Sequence, residues 1–244
     1  MTDEQESKTI QLLKILQCPN DGSHLDSSLR CPQGHQFLDN SVFIDFLGEY
    51  RETKMGPLER LGSFYEDVWA PLGFLLSSGR TYSWMLRKSS FSSANTVLDI
   101  GTGTGIAFDF LKCDLCIGLD LSKELLQIAK RRRPGLKLLR ADAQNIPLND
   151  STVEGVVFNL ALHLVPNKEK AIYEVRRILR GGGKFSLTVL VANKGIGKVL
   201  GKVFKVTPLP SEYYVELVKS NGFRVVERDL NGGWLTLLSV KDNQ

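Results

Sequence analysis

Three carboxylates recur, in order, at the ends of apolar runs. Asp99 lies near the end of Thr96-Val97-Leu98-Asp99-Ile100. Asp120 closes Cys116-Ile117-Gly118-Leu119, and Asp142 follows Leu136-Lys137-Leu138-Leu139 within Ala141-Asp142-Ala143. Short β-branched and apolar runs of this kind predict buried parallel strands. Three successive strands, each ending in an acid, place three carboxylates along one edge of a sheet. Directly after the first run come Gly101, Gly103 and Gly105, separated by Thr102 and Thr104. Glycine lets a ligand approach the backbone and admits positive φ. Strand, glycine turn and a helix predicted from Ile106 to Leu111 open a nucleotide-binding βαβ unit. The spacing is GxGxG, not GxGxxG, which argues against a pyrophosphate held on a helix N-terminus. It suits a nucleoside with a small charged tail. A carboxylate about 20 residues on, here Asp120, can accept both ribose hydroxyls.

With Leu179-Arg180-Gly181-Gly182-Gly183 further along, these landmarks resemble the class I S-adenosylmethionine-dependent methyltransferases, with a type 11-like core. The resemblance covers about the last 150 residues, the size of one domain. It implies an α/β fold: a Rossmann-like seven-stranded sheet with helices on both faces. It implies S-adenosyl-L-methionine as cofactor. In that reading the glycine loop (Gly101, Thr102, Gly103, Gly105) meets the methionine part, Asp120 holds the ribose and Asp142 meets the adenine. Asp99, Leu121, Ala143 and Asn159 complete the implied cofactor set.

A second group of reactive residues lies near the N-terminus. Cys18-Pro19-Asn20-Asp21-Gly22 and Cys31-Pro32-Gln33-Gly34-His35 each set a cysteine just before a tight turn. This is the shape of two zinc knuckles, and zinc takes four Cys, His or carboxylate ligands in a tetrahedron. Cys18, Cys31 and His35 are candidates, with Asp21 in the place where cysteine would be usual and His24 as a second choice. Residues 12–19, 31–37 and 42–47 resemble two things. One is the small zinc-ribbon subunit that activates certain tRNA and protein methyltransferases. The other is the N-terminal zinc finger of large-subunit rRNA guanine methyltransferases. The alternative is a metal-free ribbon packed by Leu16, Leu25, Phe37 and Phe43.

Methyl transfer from a sulfonium is chiefly a positioning task, because the donor carries its own leaving group. A base is needed only where the acceptor must lose a proton. The segment Asn159-Leu160-Ala161-Leu162-His163-Leu164-Val165-Pro166 follows the fourth strand, beyond the edge where ligands bind in open α/β sheets. His163 is there as a base, as a group orienting the acceptor, or as a structural histidine. No Asn or Asp precedes Pro-Pro-Tyr, which disfavours amino-group methylation of nucleobases and glutamine. Tyr65, Trp69 and Tyr82 lie in a segment that covers the pocket in the family; aromatic packing is the plainer reading. Residues 194–205 place four lysines opposite Ile196, Val199, Leu200 and Val203 on a helical wheel. This segment is read as a lid, a membrane-surface contact or a static surface helix.

The chain as a whole allows these elements. Its 244 residues suffice for one or two domains, and the net charge of +4 is mildly basic. No apolar run approaches a membrane span. The polar, acidic start is neither a signal nor a transit peptide, so a cytoplasmic location is expected. The four cysteines are then expected to be reduced, with Cys113 and Cys116 as small packing residues. Residues 1–50 form the zinc-ribbon-like segment, 51–95 a helical cap and 96–244 the core. Ser122 is a good N-cap for a helix from Lys123 to Arg132, whose Arg131-Arg132-Arg133 end reads as a solvated helix terminus. Further strands are expected over 154–160 and 184–191, helices over 168–179 and 212–220, and a closing hairpin over 223–240. A methyltransferase for a small-molecule acceptor is the leading expectation. RNA methylation assisted by the zinc-ribbon-like segment, or a non-catalytic cofactor-binding regulator, are the alternatives.

Overall fold

A computed structural model describes residues 3–48, 68, 70–91, 94–193, 200–202 and 206–243. The chain opens with α1 (Asp3–Ile15) and two short strands, β1 (Leu38–Asp39) and β2 (Ile44–Asp45). Helices α2 (Ala70–Ser78) and α3 (Tyr82–Lys88) precede the alternating part. That part runs β3 (Thr96–Ile100), β4 (Leu115–Asp120), α4 (Lys123–Arg132), β5 (Lys137–Arg140), β6 (Val153–Asn159) and α5 (Lys168–Ile178). It ends with β7 (Leu179–Leu190), α6 (Ser211–Ser220), β8 (Phe223–Asn231) and β9 (Trp234–Lys241). Tyr65, Trp69 and most of the segment 194–205 lie outside the described residues.

The strands form one sheet in the order β1-β2-β5-β4-β3-β6-β7-β9-β8. Strands β5, β4, β3, β6 and β7 are parallel, and β9 and β8 close the far side as the expected antiparallel hairpin. These are the seven strands that the alternation predicts. The sheet has nine among the described residues, because the N-terminal segment adds two. Strand β2 runs parallel to β5, with Ile44 opposite Leu139 and Asp45 opposite Arg140. An uncovered β5 would present a row of unpaired backbone groups, and β2 satisfies part of it.

Side chains alternate between the two sheet faces. On one face Leu98, Ile100, Ile117, Leu119 and Phe158 pack with Leu12 and Leu16 of the N-terminal segment, Ile172 and Val175 of α5, and Tyr214 and Val218 of α6. On the other, Val97, Val157 and Leu190 meet Phe74 of α2, Met85 and Leu86 of α3, and Trp234. Leu126 and Ala129 of α4 close over Leu138 together with Phe43.

Two expectations need correction. The helix from Ile106 to Leu111 is a single 3-10 turn, Ile106–Asp109, so no long helix dipole points at the glycine loop. Cys113 and Cys116 are joined by a disulfide instead of being reduced. The turn before β4 brings their Cα atoms within 5.5 Å, a separation a disulfide spans.

Candidate functional site

The three acids stand side by side at one sheet edge because β5, β4 and β3 are adjacent and parallel. Gly101, Gly103 and Gly105 all take left-handed φ, at 69°, 55° and 83°. At Gly101 a side chain is excluded as well, since an added Cβ would lie 2.4 Å from that of Ala161. At Gly103 an added Cβ would meet nothing within 4 Å, so the loop has open space in front of it. The Gly103 N–H donates to Asp120 Oδ2 at 2.8 Å, and the Ser122 N–H donates to Asp120 Oδ1 at 3.0 Å. Ser122 then caps α4 as expected, its hydroxyl accepting from the Leu125 N–H.

Asp99 is buried beneath this loop. Burial pushes its carboxyl up to about 7, and the Asp120 charge adds to the rise. Burial raises Asp120 too, against the backbone donors that lower it. Two buried acids side by side, both held above the usual carboxylate range, favour a positively charged neighbour. Thr102 is buried, and its side chain sits where any side chain at Gly118 would go. Asp142 accepts from the Gln144 backbone and side-chain N–H groups, both at 2.9 Å. Ala143 is buried next to it, and the Leu121 carbonyl accepts from Arg140 Nε at 3.1 Å.

Asn159 ends β6, and its Nδ2 donates to Ser89 Oγ at 2.9 Å. Its Oδ1 is buried, and among the described residues no donor reaches it. Leu160 follows in the left-handed region, φ 56°, a strained setting for a leucine of the kind found where a site requires it. His163 lies in a 3-10 turn, 5 % exposed, its ring 5.7 Å edge-on from Trp234. Burial, with the Lys168 charge, pushes its imidazole down to about 3, so the ring is neutral at pH 7. Tyr82 packs edge-on against Phe74 on the same side.

The N-terminal residues converge as their spacing predicts. One ligand atom from each of Cys18, Asp21, Cys31 and His35 falls within a sphere of mutual distances below 4.8 Å, and His24 is not among them. His35 Nδ1 lies 3.1 Å from Asp21 Oδ2, 3.3 Å from Cys31 Sγ and 3.5 Å from Cys18 Sγ. Zinc bond lengths in a tetrahedron place such ligand atoms about 3.4–3.8 Å apart. The donor set and its spacing therefore fit a zinc ion.

Arg133 and Arg140 also belong here. Arg133 is fastened, not solvated: it chelates Asp109 at 2.8 and 2.6 Å and donates to the Thr104 carbonyl at 2.8 Å, tying α4 to the glycine loop. Arg140 is 1 % exposed and bonds both Asp45 and the Leu121 carbonyl. The available signal was a cation at the end of an apolar strand, immediately before Ala141-Asp142.

The comparisons with known proteins agree with this geometry. Residues 98–187 match the family described as a methyltransferase domain. Over that stretch the chain is similar to S-adenosylmethionine-dependent methyltransferase domains. An uncharacterized protein of Methanocaldococcus jannaschii is 30% identical over 138 residues, 53% of this chain and 65% of that one. The demethylmenaquinone methyltransferase of Renibacterium salmoninarum is 30% identical over 135 residues, 52% of this chain and 56% of the enzyme. The chain thus spans between half and two thirds of the length of these relatives. Among solved structures, the complex that holds the Haloferax volcanii Trm112 methyltransferase activator contains a similar chain. It aligns with TM-score 0.64 at 20% identity, covering 78% of this chain and 99% of that one, a likeness of fold.

Proposed function

We propose that this protein transfers a methyl group from S-adenosylmethionine to a small-molecule acceptor. The observation that carries the reading is the Asp120 carboxylate, fixed by the Gly103 and Ser122 N–H groups beside the open space at Gly103. The similarity to a demethylmenaquinone methyltransferase supports a small acceptor with an apolar body. When bound, the cofactor supplies an electrophilic methyl group on a sulfonium. The chain's task is to hold and align. Asp120 and Leu121 receive the ribose, Asp142 and Ala143 the adenine, and Gly101, Thr102, Gly103 and Gly105 the amino-acid tail. Asp99 balances the positive charge. Asn159 and His163 face the acceptor side. As a neutral ring at pH 7, His163 serves to orient the acceptor, not to take its proton.

The same proposal includes one zinc ion on Cys18, Asp21, Cys31 and His35, with residues 1–50 as a metal-stapled segment, 51–95 as a cap and 96–244 as the core. No helix among the described residues is long and apolar enough to cross a membrane. The test is incubation of the protein and tritiated-methyl cofactor with cell extract, followed by separation into small-molecule, RNA and protein fractions. Label in the organic-soluble small-molecule fraction is expected. Label confined to RNA would overturn the acceptor class, and label in no fraction would count against the activity.

A further inference from the structure

Arg140 is among the largest of the fully buried side chains of the described residues, and it is charged. Burying a guanidinium strips it of its hydration, so its partners must be strong. Its Nη1 donates to Asp45 Oδ1 and Oδ2 at 3.1 and 3.0 Å and to the Gly48 carbonyl at 2.8 Å. Its Nε donates to the Leu121 carbonyl at 3.1 Å. Asp45, in turn, accepts from the Leu47 and Gly48 N–H groups at 3.0 and 3.1 Å. The backbones are stitched likewise: Phe46 N–H donates to the Arg140 carbonyl at 2.9 Å, and Ala141 N–H donates to the Asp120 carbonyl at 3.2 Å. One side chain thus joins three segments: the N-terminal strand β2, the end of β5 two residues before Asp142, and the loop that begins at Asp120.

We propose that Arg140 is a positioning residue for the nucleoside half of the cofactor site, and that Asp45 of the N-terminal segment holds it in that role. The inference rests on the cofactor reading proposed above. The Asp120 carboxylate points at the glycine loop only while the following residue, Leu121, is held in place. Arg140 Nε holds it. Without Asp45 the guanidinium loses the carboxylate that its Nη1 bonds, and the Leu121 carbonyl loses a firmly held donor. The first fifty residues therefore complete the cofactor site, which an appended module would leave intact.

Two variants of the full chain test this by calorimetric titration with S-adenosylhomocysteine and its 2′-deoxy analogue, alongside thermal melting. In the double variant Asp45→Leu/Arg140→Met, apolar side chains replace the pair, an exchange that commonly leaves stability unchanged or raised. Arg140→Lys keeps a charge near Asp45 but, as a point charge without the planar fork, cannot serve Leu121 as well. Both are expected to melt close to wild type and to bind S-adenosylhomocysteine about tenfold more weakly. The ratio of the two ligands' affinities should shrink toward one, because the lost contact lies at the ribose. A merely structural pair would lower the melting temperature and leave that ratio alone. If the double variant does not fold, Arg140→Lys alone decides. Wild-type affinity and ratio in a folded variant would overturn this proposal and spare the cofactor reading. A wild-type chain that binds neither ligand would overturn both.

Discussion

The Gly103 N–H donates to Asp120 Oδ2 at 2.8 Å, across the gap between the first and second turns at the sheet edge. The bond ties the glycine loop to the Asp120 carboxylate. A charge-assisted bond to a carboxylate is shorter and stronger than a neutral one. In the proposed cofactor site, the loop assigned to the amino-acid tail is thereby set by the residue assigned to the ribose.

Replacing Asp120 should test this coupling. Asp120→Ala removes the ligand's acceptor and frees the Gly103 N–H together. The expected loss of cofactor affinity exceeds about 100-fold, the sum of two charge-assisted bonds of roughly 1.5–3 kcal/mol each. Asp120→Asn, which retains one acceptor, should fall between the two. Calorimetry that finds wild-type affinity in Asp120→Ala would remove Asp120 from the site.

Asp99 should make both stability and binding depend on pH. Its carboxyl is raised from 3.8 to about 7 by burial first and the Asp120 charge second. Between those values the native state holds the proton that the unfolded chain has released. Stability therefore falls as pH rises through this window, and the penalty is complete above about 7. Asp99→Asn should abolish that fall and stabilise the free protein at alkaline pH, by at most a few kcal/mol. The cofactor's positive charge favours the ionised form, so binding near neutrality should release a proton. Calorimetric titration in two buffers of different ionisation enthalpy measures it; equal heats in both would refute the assignment.

His163 should contribute the opposite slope. Its imidazole is lowered from 6.5 to about 3 by burial and by Lys168. Here the unfolded chain gains the proton first, so this contribution is present above 6.5 and is lost as pH falls toward 3. Denaturant titrations of His163→Asn should show less acid loss than wild type between about pH 4 and 6.5. In kinetics, the same variant should raise the acceptor KM more than it lowers kcat, as expected for an orienting group. A loss confined to kcat, with a new acid limb in the pH profile, would point to proton transfer instead.

The four converging ligands predict about one equivalent of zinc in protein purified without chelator, since structural sites bind tightly. Cys31→Ser should lower the metal content and the melting temperature together. Less than about a tenth of an equivalent, with a melting curve indifferent to chelator, would leave Cys18, Asp21, Cys31 and His35 as a hydrogen-bonded cluster.

Much of this protein is legible in one dimension. The strands at 96, 115, 137 and 153 coincide with short, largely apolar runs, the glycines follow the first at alternate positions, and Ser122 caps the helix it precedes. Each is a local signal, decided within a few residues by sterics and by one hydrogen bond. The knuckles at Cys18 and Cys31 are local in the same way, and their convergence on Asp21 and His35 follows from two tight turns. The tertiary structure decided what depends on pairing across distance. Asp45 and Arg140 are 95 residues apart and meet only because β2 covers the exposed edge of β5. The same register turns an expected seven-stranded sheet into one of nine. The carboxyl of Asp99 and the ring of His163 take their protonation from burial, which no spacing encodes. Arg133, the last of three arginines at a helix end, is drawn to Asp109 by a turn that is 3-10 and not α-helical, and a separate turn before β4 brings Cys113 to Cys116. Spacing sets which groups stand at the sheet edge; the packing of distant segments sets their charge and their aim.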